Sequence, residues 1–257
     1  MVVRHEPWAP GTPAWVDISV TDLARSQAFY RQIFGWEFTD SDPAFGGYCN
    51  AIVDGETVAG MAPPMDGMEE APHFWTTYLA VTDAEEVMGR AAAVGAQPIL
   101  PPMQIGSFGT MGLVADPTGA VFGLWQAGEH TGANRVNEPG SIVWNDAMVT
   151  DLGAAKQFYA TVFDYHYQDV DMGETAYAMA ALEPDGRPVC GVGQLEPGRP
   201  SHWAVAFAVA DADEAAQRVH LAGGTVIAEP FDFEFGRMAV VTGPDGEIFT
   251  VVAGDPG

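Results

Sequence analysis

Val16, Ile18 and Val20 alternate with Asp17 and Ser19, the two-residue period of a strand with one buried face. Beyond Asp22 the period lengthens. Leu23, Phe29, Tyr30, Ile33 and Phe34 fall on one face at helical spacing, Asp22 can cap the first turn, and Gly35 suits the stop. This predicts a strand, then a helix from about Leu23 to Phe34. Trp36-Glu37-Phe38 reads as a short strand, and Gly46-Gly47 as a break. Tyr48–Val53 and Thr57–Met61 read as a hairpin about Asp54-Gly55. The order is β-α-β-β-β.

A linker from Pro63 to Pro72 leads into a second unit of the same order. It comprises a strand over Trp75–Val81, a helix over Ala84–Val94 capped by Asp83 and closed by Gly95, and strands near Ile99, Thr110–Val114 and Ala120–Trp125. The last two join through Asp116-Pro117-Thr118-Gly119, which has the residues a tight turn favours. Gly128–Gly140 is polar and without apolar period, which suggests a boundary between domains over residues 10–127 and 140–254.

The second half repeats the first. At an offset of 129, Trp15, Asp17, Val20, Asp22 and Phe29-Tyr30 meet Trp144, Asp146, Val149, Asp151 and Phe158-Tyr159. Gly60 meets Gly191 at 131, Trp75 meets Trp203 at 128, and Phe108-Gly109 meets Phe235-Gly236 at 127. Small loop insertions explain the drift. The chain is an internal duplication of four modules.

Among the 257 residues, 35 acidic against 10 basic give a formal net charge of −25, which disfavours nucleic acid and anionic membranes as partners. With 47% apolar residues the chain can bury a large core. Cys49 and Cys190 stand at non-equivalent places in the repeat, which argues against a structural disulfide and fits a reducing compartment. No stretch approaches the ~18 apolar residues of a membrane span, and the N-terminus has no apolar signal core. The expected setting is the cytoplasm.

Asp22-Leu23 followed by Ser26 and Phe29-Tyr30, its repeat from Asp151-Leu152 to Phe158-Tyr159, and the Asp116-Pro117-Thr118-Gly119 turn carry a resemblance. The chain resembles the vicinal oxygen chelate superfamily of glyoxalases, bleomycin-resistance proteins and extradiol dioxygenases. More narrowly, it resembles two-domain actinobacterial glyoxalase-like proteins of the hydroxylase or 27 kDa antigen type. The resemblance implies an α+β fold of four βαβββ modules, paired into two half-barrels with a site in each cup. It would place metal ligands at Trp15, Thr76 and Gly123, and at Trp144, Ala204 and Thr250, where the family's metal enzymes use His, Gln or Glu. The strand ends at Gly60-Met61 and Gly191-Val192 add no carboxylate. None of these side chains offers the imidazole or carboxylate donors such metals take. No metal and no other cofactor is expected. His73, His166 and His202 are the candidates for displaced ligands.

Strand alternation then puts Trp15, Asp17 and Ser19 in one cup with Thr76, Gly123 and Trp125, and Trp144, Asp146 and Met148 in the other with Thr250. Gly123 should leave room there. An aromatic wall with one carboxylate suits a flat, largely apolar ligand with a polar handle. Asp17 and Asp146, desolvated, could act as general acid or base, or could accept hydrogen bonds from indole N–H groups and stiffen the strand. Phe231 to Phe235 could form a lip on the second cup. The first expectation is metal-independent binding of a small apolar or aromatic molecule, in sequestration and resistance or in natural-product tailoring. The alternatives are a lyase or hydroxylase/oxygenase using Asp17 or Asp146, and an interaction protein with collapsed cups. A monomer or weak homodimer is expected.

Overall fold

The computed structural model of the chain describes residues 2–65, 67, 72–172 and 175–254; of the expected Pro63–Pro72 linker, Asp66 and residues 68–71 lie outside the described residues. A leading strand β1 (Val2–Val3) precedes the first module, which is β2 (Pro13–Ser19), α1 (Leu23–Phe34), β3 (Glu37–Phe38), β4 (Cys49–Val53) and β5 (Glu56–Ala62). The second is β6 (Trp75–Val81), α2 (Ala84–Ala93), β7 (Gln97–Ile105), β8 (Gly109–Ala115) and β9 (Val121–Ala127). After β10 (Arg135–Val136), the third is β11 (Ile142–Val149), α3 (Leu152–Phe163), β12 (His166–Met172), β13 (Thr175–Ala181) and β14 (Pro188–Gln194). The fourth is β15 (His202–Ala208), α4 (Ala212–Leu221), β16 (Thr225–Phe233), β17 (Gly236–Thr242) and β18 (Ile248–Ala253).

Each half forms one eight-stranded sheet, in the orders β3-β4-β5-β2-β6-β9-β8-β7 and β12-β13-β14-β11-β15-β18-β17-β16. The first strands of paired modules meet antiparallel at the centre, β2 with β6 and β11 with β15. Asp22, Asp83, Asp151 and Asp211 each cap a helix by accepting from the backbone N–H three residues on. Gly35 ends α1 in the left-handed region at φ 71°, which a glycine adopts without cost. Asp54 and Gly55, both at positive φ, make the expected hairpin turn.

The helices lie between the two sheets. α1 packs beside α4 and α2 beside α3, so one core is built from both halves. Tyr30 of α1 lies 5.5 Å from Trp75 and 5.7 Å from Phe249 of the other half. Its hydroxyl donates to buried Glu247 at 2.7 Å, and its repeat partner Tyr159 donates to buried Asp116 at 2.9 Å. Fully burying Phe29 or Phe158 contributes roughly 1.5–3 kcal/mol apiece. The faces of the sheets turned away from the helices are the two cups.

The polar Gly128–Gly140 stretch between the two halves is anchored to them. It contains β10, paired antiparallel with β1, and Arg135 is buried against Asp54 at 2.7 Å. Trp36 Nε1 donates to the Gly140 carbonyl at 2.6 Å. These anchors are single polar contacts spread over irregular backbone, so no apolar period announces them.

Candidate functional site: two cups of unequal openness

In the C-terminal cup, β11 alternates between the core and the open face. Ala147 and Val149 are fully buried toward the helices, while Trp144, Asp146 and Met148 are half-exposed on the other side. Trp144 Nε1 donates to Asp146 Oδ1 at 2.9 Å and lies 3.0 Å from the Tyr177 hydroxyl, which itself donates to Asp146 Oδ1 at 2.7 Å. Among the described residues Asp146 Oδ2 takes no hydrogen bond. Crowding by the surrounding protein raises the Asp146 carboxyl above its ordinary pKa, partly offset by the Tyr177 and Trp144 donors. The floor is apolar: Val143, Ala206, Ala208 and Val252 cluster, with Trp144, Phe233 and Met238 against them. Phe233 packs edge-on to Phe235 at 5.9 Å at the rim, while Phe231 is exposed.

In the N-terminal cup the same grammar closes on itself. Trp15 Nε1 donates to the Tyr48 hydroxyl at 2.8 Å, and Tyr48 donates to Asp17 Oδ2 at 3.2 Å. Tyr78 donates to Asp17 as well. Desolvation outweighs these donors and pushes the Asp17 carboxyl up to about 7. Trp15, Tyr78 and Trp125 are 3%, 5% and 6% exposed. The His130 ring, from the segment after β9, meets Trp15 edge-on at 4.4 Å and Trp125 at 5.4 Å. Burial pushes its imidazole down to about 4, and its Nε2 has no hydrogen-bond partner.

Strand register corrects two sequence expectations. Trp15 pairs with Tyr78, and Tyr78 with Gly123, so Tyr78 holds the middle of that row; Thr76 sits one step along, opposite Asp17. In the other half the row is Trp144, Ala206 and Thr250, with Ala204 opposite Asp146. Thr76 and Tyr78, two residues apart, share one face of the strand, so alternation alone does not tell which of them stands in the row. Nor does Gly123 leave room: a Cβ built there would lie 2.0 Å from the Tyr78 ring, which fills the space. Ser19 ends its strand exposed, where its carbonyl meets His73 Nδ1 at 2.8 Å. His202 Nδ1 sits 3.0 Å from the Pro200 carbonyl and His166 is exposed at the start of β12, so these three histidines do not converge.

Tyr48, Tyr177, Tyr78 and His130 escaped sequence reasoning. A signal existed for two of them. Tyr48 and Tyr177 stand 129 residues apart, the offset that matches Asp17 to Asp146, and each hydroxyl lies over a matched glycine. A Cβ at Gly60 would come 1.8 Å from the Tyr48 hydroxyl, and one at Gly191 would come 1.9 Å from that of Tyr177.

A duplicated βαβββ fold with a polar cluster on each helix-free sheet face defines the class. The chain belongs to the glyoxalase/bleomycin resistance protein/dioxygenase superfamily, matched over residues 12–124 and 140–251. It is 38% identical over 257 residues to "Putative glyoxylase CFP32" of Mycobacterium bovis, covering 98% of each chain. It is 36% identical over 261 residues to "Anthracycline biosynthesis protein DnrV" of Streptomyces peucetius, covering 95% of this chain and 94% of that one. The Mn(II)-bound glyoxalase of Novosphingobium aromaticivorans superposes with a TM-score of 0.67 at 15% identity, over 95% of this chain and 82% of that one. The 2,3-dioxygenase LapB of Pseudomonas sp. KL28 gives 0.65 at 13%, over 96% and 93%. These superpositions share the fold.

The divalent metal of such relatives does not fit the residues here. The rows Trp15-Tyr78-Gly123 and Trp144-Ala206-Thr250 offer neither imidazole nor carboxylate, and each cup has one Asp already engaged, Asp17 by tyrosine hydroxyls and Asp146 by Tyr177 and Trp144. Among the described residues no group of three or more His, Cys, Asp or Glu converges on one point. Such ions need several N or O donors at about 2.0–2.6 Å. A cleft of about 210 Å³ at the junction of the halves, between Ala80, Val87, Val162 and Phe163, contains no cup residue. No helix among the described residues is long and apolar enough to cross a membrane.

Proposed function

We propose that the protein binds a flat, largely apolar ring molecule in its C-terminal cup, without a metal, and holds it by a hydroxyl donated to Asp146. The observation that carries this reading is the half-exposed Trp144-Asp146-Tyr177 cluster. Both donors are committed to Oδ1, so Oδ2 is left for a ligand. An indole face, Met148, Met238 and Val252 suit an aromatic body; a carboxylate suits a hydroxyl donor and repels an anion. The anthracycline-biosynthesis names of the Streptomyces relatives support a polycyclic phenol of this shape. Sequestration or tailoring of such a compound follows from the same contacts.

A dihydroxyanthraquinone titrated into the chelator-treated protein, read by tryptophan fluorescence, tests this. Saturable binding is expected, and Asp146→Asn should weaken it about 10- to 100-fold, since a hydrogen bond to a charged group contributes roughly 1.5–3 kcal/mol. Binding that needs a restored transition metal would contradict the reading.

A second reading, an enzyme of the superfamily, is favoured by the raised Asp146 carboxyl on an open face, which strengthens it as a base toward a phenol or an enolisable carbon. Turnover by the parent that Asp146→Asn abolishes, without a matching loss of ligand affinity, would select this reading over simple binding.

A further inference from the structure

His130 carries the inference. It comes from the segment joining the halves, outside the repeated modules' strands and helices, yet its ring lies in the N-terminal cup. It sits edge-on to Trp15 at 4.4 Å and against Trp125 at 5.4 Å, while its own carbonyl accepts the Trp125 indole N–H at 2.9 Å. Its Nε2 is buried and unpartnered, an arrangement that the fold does not need for satisfaction of a polar group. Trp144, the repeat partner of Trp15, has no ring against it among the described residues and is half-exposed. Besides Tyr78 in place of Ala206, the two cups thus differ in one ring: a flat, five-membered heteroaromatic ring stands against the tryptophan in one, and among the described residues none does in the other.

We infer that His130 is a built-in occupant of the N-terminal cup, an intramolecular stand-in for a flat ring, which leaves the duplicated chain with one accessible site instead of two. Next to His130 stands Trp15, whose indole donates to Tyr48, and Tyr48 and Tyr78 donate to Asp17, a set of the same chemistry as Trp144, Tyr177 and Asp146. The ligand class of this latent second site is therefore the same flat, hydroxyl-bearing ring, and the inference rests on the reading of the C-terminal cup given above. A tethered ring competes at high effective concentration, so a free ligand of similar contacts does not displace it.

Stoichiometry with the dihydroxyanthraquinone tests the inference in the full chain. The wild type should bind one equivalent. His130→Ala and the less disruptive His130→Asn should each bind two, and His130→Ala/Asp146→Asn should retain the one in the N-terminal cup. Folded His130 variants that still bind one equivalent, lost with Asp146→Asn, would overturn the occupant role and leave the C-terminal reading standing. No binding to the wild type, with one equivalent gained by His130→Ala, would do the reverse. If both substitutions unfold the chain, the imidazole proton resonances of the wild type decide. They should stay shifted by the Trp15 ring at ligand saturation, and a ligand-dependent move would refute the inference.

Discussion

The two cups descend from one pattern and have come to differ in what covers it. Asp17 and Asp146 occupy the same strand position, each held by a tyrosine hydroxyl over a glycine, with a neighbouring tryptophan donating to Asp146 directly but to Tyr48 beside Asp17. In the N-terminal cup Tyr78 pairs with Trp15 and His130 packs on it, burying the indole; in the C-terminal one Ala206 replaces the tyrosine and Trp144 meets solvent, while Asp17 and Asp146 are both partly exposed. Enclosure shows in the electrostatics. The Asp17 carboxyl is pushed up to about 7 and the His130 imidazole down to about 4, both through lost hydration. An aromatic wall covered by the chain's own rings stabilises a fold, whereas one left half-exposed can take a ligand.

The matched glycines break the comparison most strongly. Gly60→Ala would drive a Cβ into the Tyr48 hydroxyl inside a closed cup, where Asp17 Cβ stands 3.0 Å away, so overpacking should cost about 1–3 kcal/mol in a urea melt. Gly191→Ala would place a Cβ 1.9 Å from the Tyr177 hydroxyl and 2.0 Å from Asp146 Oδ1, displacing both, and should abolish ligand binding, which Gly60→Ala should spare. Binding that survives Gly191→Ala would contradict the Asp146 site.

Titration sharpens it next. Asp17, raised from 3.8 to about 7, keeps its proton where the unfolded chain has lost it. Its contribution is full below pH 3.8 and is lost as pH rises through about 7. His130, lowered from 6.5 to about 4, refuses a proton that the unfolded chain accepts; its contribution is full above 6.5 and is lost as pH falls through about 4. Between pH 4 and 6.5 the two oppose each other in the wild type. Measured relative to wild type over that window, Asp17→Asn should gain stability as pH rises and His130→Asn should lose it, each by up to about 1.4 kcal/mol per pH unit. Differences independent of pH would contradict the burial of both groups.

The smallest expected effect separates the tyrosines. Tyr177→Phe should weaken ligand binding about tenfold by freeing Trp144 and Asp146 to reorient, and Tyr48→Phe should leave it unchanged, read in the same fluorescence titration.

Much of the architecture was readable because it repeats. Capping Asp, helical apolar face, left-handed Gly and hairpin turn each have a local signature, and seeing them twice confirmed the modules. The offset that pairs Asp17 with Asp146 also pairs Tyr48 with Tyr177, so half of the polar cluster was within reach of the same reasoning. Tyr78 was not, because its inward role depends on register between distant strands, β2 with β6 and β6 with β9. His130 was less so: it lies in irregular backbone, has no repeat partner among the described residues, and enters the cup through ring contacts without a sequence period. The openness of each cup is decided by those two residues, and for that reason periodicity could not reveal it.

The most direct test of the account is a crystal structure of the chelator-treated protein with the dihydroxyanthraquinone bound. The account predicts one ligand per chain, its ring against Trp144 and a hydroxyl on Asp146 Oδ2, with His130 still against Trp15. Ligand density in the N-terminal cup of the wild type, or a ligand held there through a metal ion, would contradict it.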